Sequence, residues 1–144
     1  MERGILMREI RLKGRGVYSG IAEGEALVTK TALPGYGGVD PETGNIIDIF
    51  HELYGTNIVN KIMVIRGAKG SSGWAETFHI ARLLGTTPAG IVFTKMTSKI
   101  CLGIVAMKRP AITDLETDPF EIIETGDHVI LDGNKGEVTI FKEV

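Results

Sequence analysis

The sequence predicts a single α/β domain, residues 1–144, built on a mixed, barrel-like sheet with flanking helices. Three observations carry that expectation. Apolar runs alternate with helix-periodic segments through the middle of the chain, strand-like segments lie at both ends, and the last two strands flank a turn-rich segment. With 144 residues, 43% hydrophobic and 24% charged, the chain has the make-up of one ordinary globular domain. A chain of that length buries roughly 68–70% of its unfolded surface. The sequence shows no internal repeat and no interdomain linker.

The elements follow in order. The first seven residues are too short and too charged for a targeting signal, so residues 1–8 are expected to be a flexible tail, with Met7 an alternative start. Strands are expected at 10–13 and 26–30, separated by glycine-rich turns. Residues 34–44 are dense in turn formers and read as a long loop, of the kind that often carries function. A short strand is expected at 45–50. The run Ile62-Met63-Val64-Ile65 reads as a buried strand. A helix over 73–84 follows, with Trp74, Phe78 and Ala81 on one face, Leu84 close to it and Gly85 as the C-terminal cap. A second buried strand at 90–94, a short helix at 99–107 and a third strand at 110–113 complete the βαβα centre. The C-terminal hairpin pairs 129–131 with 138–141 across Asp132-Gly133-Asn134-Lys135-Gly136.

Bulk properties narrow the function. A net charge of −2 argues against a nucleic-acid footprint. The sequence holds no apolar run long enough to span a membrane and no secretory signal, which predicts a cytoplasmic protein. One cysteine, Cys101, fits a reducing compartment and excludes both an internal disulfide and an iron–sulfur cluster held wholly by this chain. Its apolar neighbours favour a buried structural thiol. His51, His79 and His128 lack metal-ligand spacing, and no metal site is expected; His51 and His79 read as surface or structural residues.

The segment most informative about function is Gly67-Ala68-Lys69-Gly70-Ser71-Ser72-Gly73-Trp74, a glycine-rich turn from strand to helix. Such a turn brings backbone N–H groups to a helix N-terminus, where an anion binds readily. It is not a Walker A loop, because Lys69 is misplaced, nor a serine-hydrolase elbow, because the glycines miss the required spacing. Two readings of the serines remain. One caps the helix; the other accepts a substrate proton beside amides that hold a carboxylate. The second needs help, since a helix terminus contributes at most ~2 kcal/mol and a pKa unit costs about 1.36 kcal/mol. Lys69 is the only local cation, and it does not suffice alone. In the earlier loop, Asp40-Pro41-Glu42-Thr43-Gly44 reads either as an Asp-initiated turn or as a contact loop.

The combination of motifs is specific where each alone is weak. Gly37-Gly38-Val39-Asp40-Pro41-Glu42-Thr43-Gly44, followed after a strand by Lys69-Gly70-Ser71-Ser72, resembles the swivel domain, or small subunit, of aconitase X. Ala22-Glu23-Gly24-Glu25-Ala26-Leu27-Val28 matches the same family, and the resemblance covers residues 14–143. It implies a swivelling β/β/α fold and a role as one part of a hydro-lyase (dehydratase), inactive without its large subunit. The large subunit then carries the iron–sulfur cluster, whose iron acts as Lewis acid on the departing β-hydroxyl. This chain supplies Ser71 as proton acceptor, with Gly70, Ser72, Gly73 and Lys69 in substrate binding. Gly37, Gly38, Asp40 and Glu42 form a loop facing substrate or partner, the partner being favoured. The substrate is a small hydroxy-carboxylate of the mevalonate 5-phosphate or cis-3-hydroxy-L-proline class. Two departures stand out: Gly73 occupies the place of the arginine of ordinary aconitases, and bulky Trp74 follows it. The competing expectation is a non-catalytic anion-binding or assembly module in which Ser71 only caps the helix.

Overall fold

Residues 62–65 are apolar without a break, and all four are buried. A strand covered on both faces belongs in the middle of a sheet with layers on either side, and that is where it lies. The structure, a computed structural model, describes residues 6–69 and 73–144. In chain order the elements are β1 (Met7–Lys13), β2 (Arg15–Tyr18), β3 (Ile21–Thr29), β4 (Leu33–Pro34), β5 (Ile62–Ile65), β6 (Ala68–Lys69), α1 (Trp74–Leu84), β7 (Gly90–Phe93), α2 (Ser98–Met107), β8 (Ala111–Thr113), α3 (Pro119–Ile122), β9 (His128–Asp132) and β10 (Glu137–Glu143).

Eight strands form one mixed sheet in the order β1-β10-β9-β3-β5-β7-β8-β2. The pairs β3–β5, β5–β7 and β7–β8 are parallel, and the others antiparallel. The two outermost strands, β1 and β2, are separated in sequence by Gly14 alone, so the sheet must curl until its edges approach. Gly14 N–H donates to the Gly136 carbonyl at 2.7 Å, extending the β1–β10 ladder to the point where the chain turns into β2. Gly16 packs directly on the Gly133 carbonyl, where an added Cβ would collide with it. The expected barrel-like sheet is therefore present.

Side-chain alternation in the parallel strands divides the interior in two. Met63, Ile65, Ile91, Phe93 and Ala111 join Trp74, Phe78 and Ala81 of α1 and Ile100, Ile104 and Met107 of α2. Ile62, Val64, Val92 and Ile112 face the other way, toward Leu12, Val129, Leu131, Val138 and Ile140 inside the curled sheet. Period-two alternation with every position apolar is what a doubly covered strand requires. Helix α1 ends at Gly85, whose φ of 77° lets its N–H turn back to the Ala81 and Arg82 carbonyls. Helix α2 begins at Thr97, whose hydroxyl accepts the Ile100 N–H.

Several expectations are corrected. Met7 and Arg8 belong to β1 and pair with Glu143 and Lys142, so they are sheet rather than tail. Residues 45–50 form no strand; isolated bridges, Val39 with Ile46 and Asn45 with Asn57, take the place of a ladder. The reason is that Ile46 alone is buried there, while Ile47, Ile49 and Phe50 are exposed. Leu84 is also exposed, lying outside the apolar stripe of α1. The strands β2, β4 and β6 and the short helix α3 were not expected, being too short or too polar to leave a periodic signal.

Candidate functional site

Ligands of open α/β sheets collect beyond the carboxyl ends of the parallel strands. Here β5 runs from its carboxyl end into the glycine-rich segment, and the parallel strands β7 and β8 end on the same side of the sheet. The short strands β4 and β6 pair in parallel, Leu33 with Ala68 and Pro34 with Lys69, so the loop after β3 travels with the loop after β5. Leu33 N–H donates to the Gly67 carbonyl, and the Trp74 indole N–H donates to the Leu33 carbonyl at 2.9 Å. Trp74 is thus a buried core residue that anchors the start of α1, which accounts for its bulk at this position.

Backbone meets backbone at the N-terminus of α1. An added Cβ on Gly35 would lie 2.6 Å from the Trp74 nitrogen, and one on Gly73 would lie 2.6 Å from Tyr36 Cβ. Only glycines allow this approach. Gly73 holds the N-cap position with a φ of 100°, in the left-handed region, and has no side chain with which to cap. Its carbonyl accepts the Thr77 N–H at 2.9 Å and so begins the helix.

Of the expected site residues, Gly70, Ser71 and Ser72 lie outside the described residues. Lys69 is placed through its backbone, in β6. Gly73, Gly37 and Asp40 come together: they line one groove of about 620 Å³ with Tyr36, Glu76 and Ile80. Gly38 is buried against Pro34 beneath it. The Asp40 side chain accepts the Glu42 N–H at 2.9 Å, and its carbonyl accepts the Gly44 N–H at 2.7 Å. The Asp-initiated turn of this segment is therefore present, with Asp40 forming it. Glu42 is exposed at its tip. Thr86 donates its hydroxyl to the Pro41 carbonyl at 2.6 Å, tying the turn to the segment after α1.

A second tie holds the long loop from below. His51 is buried; its Nδ1 accepts the Leu53 N–H at 3.0 Å, which leaves Nε2 to donate to the Thr31 carbonyl at 3.1 Å. Glu52 accepts the hydroxyls of Thr29 and Thr31. The Thr29 hydroxyl above all holds the Glu52 carboxyl below its ordinary value, with partial desolvation opposing it and Thr31 adding to it. His51 is structural, as its sequence context suggested, and His79 is exposed on α1.

Sequence reasoning missed Gly35, Tyr36 and a cluster at the strand ends. Arg66, Thr94 and Lys95 line a separate depression of about 480 Å³ with Asp114 and Asp118. The available signal was a basic residue within two positions of the end of the apolar runs 62–65 and 90–93. Cys101 is half-buried rather than buried, its thiol turned toward Met96 Sδ, because it sits on the flank of α2 and not on the face of Ile100 and Ile104. Among the described residues no three or more His, Cys, Asp or Glu side chains gather in a way that could hold a metal ion. A lone thiol beside a thioether does not fit an iron–sulfur cluster, which takes several thiolates. Among the described residues no helix is long and apolar enough to cross a membrane.

A curled mixed sheet of eight strands, with α1 and α2 packed against its central parallel strands, defines an α/β domain of the swivelling β/β/α class. The chain belongs to the aconitase X swivel domain family, whose family model matches residues 11–140. It is 31% identical over 137 residues to the phosphomevalonate dehydratase small subunit of Methanosarcina mazei, covering 95% of each chain. It is 34% identical over 131 residues to that of Methanocella arvoryzae, covering 91% of this chain and 99% of that protein. The crystal structure of Thermococcus kodakaraensis aconitase X in its holo-form superposes with a TM-score of 0.85 at 30% identity, over 92% of this chain and 99% of that one. A relative solved by solution NMR gives 0.80 at 31% identity, over 94% and 99%.

Proposed function

We propose that this chain is the small subunit of a phosphomevalonate dehydratase, working with a larger subunit to remove water from mevalonate 5-phosphate. The observation that carries the reading is the end-to-end match to proteins of that name, 95% of both chains in one case. On this reading the iron–sulfur cluster belongs to the larger subunit, since the donors of this chain do not fit one.

The part played by this chain is to place a proton acceptor and to hold charge. Ser71 takes the proton α to the substrate carboxylate. The amides of Ser72 and Gly73 serve as donors to the charge that then develops on that carboxylate. Gly73 supports this role in two ways. Its positive φ sets the entry into α1, and its missing Cβ lets the Tyr36 backbone close over it. The apolar groove beside it, floored by Val39 and Ile80, suits the hydrocarbon part of a small hydroxy acid. The cationic help that the serine needs comes from Lys69 and from the partner.

The test is co-expression with the large subunit and assay of mevalonate 5-phosphate dehydration. Ser71→Ala is expected to lose about 10²–10⁴-fold in kcat, the usual weight of a general base, while still co-purifying with its partner. Near-normal turnover in that variant would remove Ser71 from the chemistry. A complex active only on cis-3-hydroxy-L-proline would move the substrate to the other class.

A further inference from the structure

We propose that the depression at the carboxyl ends of β5, β7 and β8 is a phosphomonoester subsite, in which Arg66 and Lys95 grip the phosphate of the substrate. This inference rests on the dehydratase reading above and names the part of the site that would recognise the phosphorylated end.

The placement follows from strand register. Thr29, Ile65 and Phe93 lie side by side at the ends of three adjacent parallel strands. Immediately beyond them come Lys30, Arg66 and the pair Thr94-Lys95, so a basic residue leaves the carboxyl end of each strand. Arg66 and Lys95 line the depression, and the Lys30 ammonium stands 5.9 Å over the ring of Phe120, which lines it too. The backbone beneath the two cations is cross-tied. The Arg66 carbonyl accepts the Lys95 N–H at 2.8 Å and the Thr94 N–H at 3.2 Å. Gly67 keeps the crossing tight, since an added Cβ would come 3.3 Å from the Lys95 carbonyl oxygen.

The charges on the rim are already sorted. Asp114 is paired with Arg15 at 2.8 Å, and Asp118 accepts the Phe120 N–H at 3.0 Å. Among the described ion pairs neither Arg66 nor Lys95 takes part. Two like charges on one concave rim repel each other until an anion arrives. A phosphate dianion suits them: the guanidinium fork matches two of its oxygens, and the ammonium supplies a second point charge. The Thr94 hydroxyl stands at the same edge. The groove beside Gly73 does not compete for this role, because among the described residues no Lys or Arg lines it and its charged lining residues, Asp40 and Glu76, are both acidic.

The test pairs kinetics of the assembled enzyme with a binding measurement on the full chain. Wild type, Arg66→Gln and Lys95→Gln are assayed with the large subunit on mevalonate 5-phosphate. Separately, backbone-amide NMR follows titration of the chain with inorganic phosphate at constant ionic strength. Losing a charged hydrogen bond is expected to raise KM roughly 10- to 100-fold in Arg66→Gln, with kcat changed by about threefold or less. Inhibition by inorganic phosphate should weaken in parallel. The amides of Arg66, Thr94 and Lys95 should shift with phosphate in wild type and not in Arg66→Gln. Arg66→Lys, recovering part of the affinity, separates lost charge from lost fold.

Unchanged KM in both variants of an active enzyme overturns the subsite and leaves the dehydratase reading standing. An assembled wild type that does not act on mevalonate 5-phosphate overturns that reading instead. The titration then decides the site by itself: shifts confined to the depression keep it as a site for free phosphate or another phosphate ester, and their absence overturns it.

Discussion

The two halves of β3 belong to two kinds of sheet. Residues 21–25 pair antiparallel with β9, and residues 26–29 pair parallel with β5. The first half alternates, with Ala22 buried between exposed Ile21 and Glu23; in the second half Ala26, Leu27 and Thr29 are all buried. On the antiparallel side, β9 and β10 follow one another through a tight turn, while β1 closes along β10 and β3 along β9 from the far end of the chain. On the parallel side each connection must cross the sheet, and α1 and α2 serve as the crossovers. Crossovers leave loops at the strand ends. Those loops hold Gly73, the 35–41 segment, Arg66 and Lys95, whereas the antiparallel side contributes none of them. One half of this sheet is scaffold, and the other half carries the candidate chemistry.

The most severe way to break this division is Trp74→Ala. Trp74 is buried against Phe78 and Gly103, and its indole fixes Leu33. Truncation should cost about 3–5 kcal/mol by urea denaturation and also lower turnover of the assembled enzyme, because the loop over Gly73 loses its anchor. Ile140→Ala on the antiparallel side should cost a comparable ~2–5 kcal/mol and leave the turnover of folded protein unchanged. Equal losses of turnover in the two variants would erase the distinction.

Gly73→Ala sharpens the comparison at a single backbone position. A residue with a side chain is strained at its φ of 100° and would press on Tyr36. The expected cost is about 1–3 kcal/mol, read as a lowered thermal midpoint. Wild-type stability in that variant would mean that the 35–41 loop is free to move away. The smallest effect concerns Glu52. Its folded-state pKa lies below the ordinary 4.5 of a glutamate, so its stabilisation is complete above that pH and fades as pH falls through the lowered value. Glu52→Gln should therefore flatten the acid limb of a stability–pH profile, and an unchanged slope below pH 4.5 would count against the Thr29 contact.

The sequence revealed the parallel half more clearly than the antiparallel one. Unbroken runs such as 62–65 and the stripe of Trp74, Phe78 and Ala81 carry strong periodic signals, and the observed β5 and α1 match them closely. The first half of β3 was hidden by Glu23, Gly24 and Glu25, which face solvent or a neighbouring backbone. β2 gave no pattern because it has four residues and Gly16 lies in it for close contact rather than for packing. Residues 45–50 misled in the opposite direction: their apolar content is real but faces outward, and propensity alone does not say which side is covered. In the candidate site, the glycine-rich segment and the 37–44 loop stood out by composition. That Gly35 and Gly73 meet backbone to backbone did not, because closeness between distant segments is a tertiary fact. Arg66 and Lys95 were overlooked for a similar reason, since single basic residues after strands gain meaning only when register aligns them.

The seam at Gly14 has a consequence for how the chain survives in a crowded solution. A sheet with two open edges offers unpaired N–H and C=O rows on which a second molecule can template itself. Here the edge strands are drawn together; β2 is only four residues long, and β1 lines its border with exposed Arg8, Glu9, Arg11 and Lys13. Such an edge resists edge-to-edge aggregation, so the newly made chain is protected while it is still without a partner.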